Sequence, residues 1–195
     1  WPVPVESLSL VGHSMGGLVI RSACWYAERA NMPWLSDLQH VVCLGSPHHG
    51  APLEMAGHRL DLALQRIPYA EPLAFGKGRS AGIKDLRHGN LLDEDWLGLD
   101  PDAPLPDNRV PVPLLPGVDY FFASAAIGEH GRDLPSTLLG DLLVRLESAA
   151  GVHADELRCL NLDPEHCRVF FRKHHFDLLS DPQVQQQILD WLGDR

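Results

Sequence analysis

Leu8-Ser9-Leu10-Val11-Gly12-His13-Ser14-Met15-Gly16-Gly17-Leu18 is the stretch that decides the fold. An apolar run drives into Gly12-His13-Ser14-Met15-Gly16, a G-x-S-x-G pattern, and a helical stretch follows from Leu18 to Ala30. Strand, very tight turn and helix form the context of a nucleophile elbow, with a serine held at the tip in a strained backbone conformation. Side chains two residues to either side would collide with the strand and the helix, so Gly12 and Gly16 are expected to relieve both places. Ser14 Oγ is then presented at a helix N-terminus, and the Met15 N–H points toward the oxygen that becomes negative during acyl transfer. The plainer alternative is an ordinary Gly-rich turn between a strand and a helix.

The neighbouring sequence continues the strand–helix alternation. The first strand is read over Glu6 to Gly12 and the helix over Ser14 to Ala30, with Leu18, Ala23, Tyr26 and Ala27 toward one side and Arg21, Glu28 and Arg29 among the polar positions. His40 to Gly45 is apolar without strict alternation, as suits a strand buried on both faces of a parallel sheet. The distance from Gly12 to His40 fits a βαβ crossover. From Leu53 to Val118 prolines crowd the chain, and regularity is limited to a short helical piece around Met55 to Gln65. Such an insert in a compact domain reads as a lid or as poorly ordered chain. Tyr120 to Ala125 and Cys167 to Arg172 read as third and fourth strands. A closing helix has Ser180 or Asp181 as cap, Pro182 in its first turn, and Val184, Ile188, Trp191 and Leu192 as its apolar face. The expected class is α/β: one domain over residues 1–195, a mostly parallel sheet with flanking helices, and an insert at about 53–118.

Composition narrows the function. At 195 residues with 45% hydrophobic residues the chain can bury a sizeable core. A net charge of −10 without a basic run argues against nucleic acid and against attraction to anionic membrane surfaces. No apolar stretch spans a bilayer. Cys24 and Cys43 read as small buried hydrophobes. Cys159 and Cys167 flank a turn-like Asn161-Leu162-Asp163-Pro164, so a disulfide is one reading and reduced thiols the preferred one. The cytoplasm is favoured, with secretion left open.

A serine nucleophile needs a base, and the base needs an acid to hold its tautomer. In folds built on this elbow the acid and then the histidine follow the serine along the chain. Lys173-His174-His175-Phe176-Asp177 lies after the last strand and before the final helix. His175 is preferred over His174 because Phe176-Asp177-Leu178-Leu179 would anchor it in the core. The acid is expected after the third strand, between about Ile127 and Ala150, where Glu129, Asp133, Asp141 and Glu147 compete. Asp141, after Leu138-Leu139-Gly140, is preferred. Pro135 to Ala150 also reads as an amphipathic helix, which would leave Asp141 on a solvated face. Ser46-Pro47-His48-His49-Gly50 ends the second strand, and strand C-termini line the site edge of a parallel sheet. The histidines there could contact substrate, or be structural or solvated; His13, Pro47 and His48 are the candidate substrate contacts. His48, His49 and His58 make no convincing zinc set, and neither metal nor cofactor is expected.

These segments together (Gly12 to Gly17, Leu44 to Gly50, Gly140-Asp141 and His175 to Leu179) resemble bacterial α/β-hydrolases of the lipase and GPI inositol-deacylase-like group. The resemblance implies a carboxylic-ester hydrolase with the triad Ser14, Asp141 and His175, acting on a small-molecule or lipid ester. Two departures stand out. Leu142 follows the acid where the family often has glycine, and the strands that usually precede the elbow do not fit in Trp1 to Glu6. Either the sequence is the C-terminal part of such a domain or the fold is radically trimmed; the first is preferred, with the second oxyanion donor then outside the sequence. The elbow strand is then expected to be an exposed edge, open to self-association.

Overall fold

The computed structural model describes residues 2–50, 89–98, 109–129, 141 and 144–193. Four strands, β1 (Leu8–His13), β2 (Leu38–Leu44), β3 (Asp119–Ala126) and β4 (Cys167–Phe171), pair in chain order and all in parallel. With them are α1 (Met15–Arg29), the single turn α2 (Leu146–Ala149) and α3 (Pro182–Gly193). The chain is thus an α/β fold with a parallel sheet, as the sequence implied. Most of the insert expected at 53–118, including the helical piece around Met55 to Gln65, lies outside the described residues, and so do His58 and Asp133.

Two cores explain the run of buried residues in β2. Val41 and Cys43 point to one face and pack with Cys24 of α1, Leu38, Tyr120, Phe122 and Leu160. Val42 and Leu44 point to the other and pack with Phe121, Ala123, Ala125, Phe170, Leu178, Val184 and Trp191. A strand covered on both faces needs apolar residues at every position, which erases the period of two. Leu114, Leu115 and Leu162, from the connections between strands, join α1 on the first face. On the second face α3 lays down Val184 and Trp191, the latter stacked on Phe121 with ring centroids 5.0 Å apart. Asp181 caps α3, its Oδ1 accepting from Gln183 N–H at 2.9 Å, which decides between the two caps considered.

Among the described residues β1 is an edge strand. Leu10 shares a register level with Val41 and packs with the α1 core, whereas Val11 is level with Val42 on the opposite face. Core packing does not cover it there: Val11 is 50% exposed. None of the described helices is long and apolar enough to cross a membrane. All four cysteines are free thiols, and Cys159 Sγ exchanges hydrogen bonds with the backbone of His153.

Candidate active site

The C-terminal ends of the strands converge on one edge of the sheet. At the end of β1, Ser14 has φ 54 and ψ −121, and α1 begins at the next residue. A positive φ is costly for a residue with a Cβ and marks a turn held by its surroundings. The Ser14 N–H donates to the Leu44 carbonyl at 2.8 Å, pinning the turn to the end of β2. Met15 is the first helical residue, so its N–H has no acceptor within the helix.

The glycines share the crowding differently from the sequence expectation. A Cβ on Gly12 would lie 2.6 Å from the Gly16 carbonyl carbon and 2.7 Å from Gly17 N, so strand and helix touch there. A Cβ on Gly16 would meet nothing within 4 Å. The second close approach is at Gly17, where a Cβ would come 2.1 Å from Ser46 Oγ. Gly17, outside the five-residue pattern, is what lets the loop after β2 seat against the first turn of α1.

His175 and Asp141 meet in the interior. His175 Nδ1 lies 2.6 Å from Asp141 Oδ2, and both side chains are 2% exposed. Charge-assisted hydrogen bonds of this length are among the strong ones, and burial removes competing water. The other carboxylate oxygen, Oδ1, accepts from Val144 N–H at 2.7 Å, which fixes the acid's orientation. Asp141 therefore does not lie on a solvated helix face; the helix near it is confined to Leu146–Ala149 among the described residues. Of the rival acids, Glu129 and Glu147 are exposed, and Glu129 pairs with Arg172 at 2.5 Å.

The loop after β4 is tied down at several points. Lys173 N–H donates to the Ala126 carbonyl at 3.1 Å, and the Lys173 ammonium pairs with Asp181. Asp177 Oδ2 accepts from His174 N–H at 2.6 Å and closes a 3-10 turn over His175–Leu179. Leu178, 1% exposed, anchors that turn in the core, while His174 remains exposed. Gly45, at φ +59, makes room for the imidazole: a Cβ there would lie 3.0 Å from His175 Cε1 and 2.9 Å from Leu178 Cδ1. The Gly-Ser-Pro run at the strand end was visible in the sequence, but its service to His175 was not.

With Nδ1 engaged, His175 Nε2 is buried and has no hydrogen-bond partner. No hydrogen bond joins it to Ser14 Oγ. His13 lies against the same ring, with centroids 4.6 Å apart, and its Nε2 is 3.1 Å from the His175 carbonyl oxygen. Burial first, and the neighbouring His175 second, bring the His13 pKa down to about 4, so His13 is neutral at physiological pH.

Pro47 and His48 are both fully buried. His48 stacks on Phe122 at 4.2 Å and contacts Arg21; neither hydrogen bond nor ring contact links it to Ser14 or His175. The loop is held instead by Ser148 of α2, whose Oγ accepts from His49 N–H at 3.1 Å and donates to the Gly50 carbonyl at 2.8 Å.

No curated protein matches the chain. The family description of the PGAP1-like alpha/beta domain matches residues 2–71, a span that takes in β1, the Ser14 turn, α1 and β2. Over that span the chain is similar to a PGAP1-like alpha/beta domain, consistent with an α/β fold of the hydrolase type.

Proposed function

We propose that the chain is the serine hydrolase of a carboxylic ester, with Ser14 as nucleophile, His175 as base and Asp141 as the acid that orients it. The observation that carries this reading is the buried His175–Asp141 pair, whose imidazole lies against His13, the chain neighbour of a serine at φ 54 in a strand-to-helix turn. Asp141 accepts the Nδ1 proton, so the lone pair of the imidazole is on Nε2, the nitrogen without a partner. In an apo site the nucleophile–base hydrogen bond is often loose and tightens around substrate.

As Ser14 Oγ attacks the ester carbonyl, its proton passes to His175 Nε2. The imidazolium that forms is stabilised by the Asp141 carboxylate. The Met15 N–H donates to the oxyanion. His175 gives its proton to the leaving alcohol; it then takes a proton from the water that attacks the acyl-enzyme carbonyl and returns it to Ser14 Oγ as the acid is released. Neutral His13 supports the same step, since a second cation against the imidazolium would oppose proton uptake. An acyltransferase would use the same residues and replace water by an alcohol. We read the chain as one hydrolase domain over residues 1–195 with a Pro-rich insert at about 53–118.

A fluorophosphonate probe followed by peptide mapping tests the proposal. Labelling confined to Ser14, with turnover of p-nitrophenyl esters, is the expected result. An unlabelled Ser14 in folded protein, or turnover that survives Ser14→Ala, would overturn it and leave a non-catalytic scaffold.

A further inference from the structure

Ser14 and His175 are carried by opposite edges of the described sheet. Ser14 follows β1, and His175 opens the 3-10 turn after β4, with β2 and β3 between. Paired strands lie about 4.8 Å apart, so three spacings separate the two edges by about 14 Å. The ladder therefore pairs neither residue's strand with the other's. The turn after β4 must reach back over the strand ends, and its reach has to be fixed by other contacts.

Three contacts already restrain the imidazole. Asp141 Oδ2 holds its Nδ1 at 2.6 Å, Gly45 leaves room beside its Cε1, and Leu178 anchors the turn in the core. None of these residues belongs to the elbow. His13 does: it is the last residue of β1 and the chain neighbour of Ser14. Its Nε2 lies 3.1 Å from the His175 carbonyl oxygen. A carbonyl only accepts, so the His13 proton is on Nε2 and is donated to that oxygen. The His13 ring also lies against the His175 imidazole at 4.6 Å and against Phe176 at 5.9 Å. Burial keeps the ring uncharged at neutral pH, so this contact brings no second cation to the base. One side chain thus ties the elbow to the turn of the base through both a hydrogen bond and ring packing.

We propose that His13 is a positioning residue, whose Nε2–H bond to the His175 carbonyl fixes the separation of Ser14 and the base so that Ser14 Oγ and His175 Nε2 meet around substrate. The inference rests on the proposed hydrolysis and adds the residue that couples its two halves.

Two variants separate the hydrogen bond from the packing. His13→Phe keeps a ring against His175 and Phe176 and removes the donor. His13→Gln removes the ring and brings an amide N–H near the place of Nε2. Both are assayed beside the wild type with p-nitrophenyl esters, and circular dichroism establishes that they fold. Misplacing a catalytic group by about 1 Å costs about a hundredfold in rate, so His13→Phe is expected to lose roughly ten- to a hundredfold in kcat. Its KM should stay within about threefold, because the bond touches the base and not the substrate. His13→Gln should regain about threefold or more in kcat over His13→Phe. Heteronuclear NMR of the wild type needs neither variant nor substrate: at neutral pH the His13 proton is expected on Nε2 and not on Nδ1. Wild-type kcat in folded His13→Phe, a loss that falls on KM, a His13→Gln no faster than His13→Phe, or a proton on His13 Nδ1 would each overturn the assignment. If neither variant folds, the tautomer decides. A wild type without turnover or labelling at Ser14 refutes the hydrolase reading and this role with it, whereas the preceding outcomes refute the role alone.

Discussion

Gly45→Ala perturbs the proposed base while Ser14, His175 and Asp141 themselves stay unsubstituted. Gly45 sits at φ +59, where a Cβ costs ~1–2 kcal/mol before any contact is considered. The added carbon would also meet Leu178 Cδ1 at 2.9 Å, His175 Cε1 at 3.0 Å and His175 Nδ1 at 3.1 Å. Leu178 is 1% exposed and has nowhere to retreat, so the imidazole must give way. Its Nδ1 is held to Asp141 at 2.6 Å, and a shift of a few tenths of an ångström lengthens or tilts that bond. Misplacement of a catalytic group by about 1 Å costs about a hundredfold in rate, so a loss of roughly ten- to a hundredfold in kcat is expected. The backbone strain should lower Tm by roughly 3–6 °C in a chain of this size. The assay is p-nitrophenyl ester turnover with a thermal melt, run beside Gly16→Ala. Gly16 has open space for a Cβ and lies in the first turn of α1, so that variant should be neutral or slightly stabilising. Wild-type kcat and Tm in Gly45→Ala would refute the reasoning, and so would a severe Gly16→Ala.

Ser14→Ala and His175→Ala should each abolish turnover and the double variant should be little worse, because triad members act as a unit. Asp141→Asn should cost ~10³–10⁴ in kcat through the wrong tautomer, while His174→Ala stays within severalfold; the reverse ranking would reassign the base or the acid. Stability should fall as pH drops from about 6.5 toward 4, because unfolded His13 takes up a proton in that window and folded His13, with its pKa near 4, does not. His13 alone contributes up to about 3 kcal/mol to this loss, read as urea unfolding at pH 7 and pH 4.5; His13→Gln should flatten the slope, and an unchanged slope counts against the burial argument. The exposed Val11 on the β1 edge predicts self-association on a sizing column with light scattering, relieved by Val11→Lys; a monodisperse wild-type monomer would end that expectation.

The sequence by itself determined the local grammar of this protein. Strand, turn and helix around Ser14 were legible because a G-x-S-x-G turn, an apolar run and a helical period are properties of neighbouring residues. The burial of β2 was legible for the same reason, in an unbroken apolar run. The apolar anchor at Leu178 marked His175 as the buried one of the two adjacent histidines. Tertiary structure decided what depends on residues far apart in the chain. Asp141 and His175 are separated by 34 positions, and the helical period around Asp141 gave no sign that its carboxylate would be buried against an imidazole. Gly17 rather than Gly16 took the close contact because Ser46, on another strand, comes to it. His13, Pro47 and His48 were read as facing substrate because strand ends do so in general. The folded chain bonds His13 to the His175 backbone and buries His48 against Phe122 and Arg21. Short-range sterics and periodicity are written in consecutive residues; which polar group finds which partner is set by how the two faces of the sheet are filled.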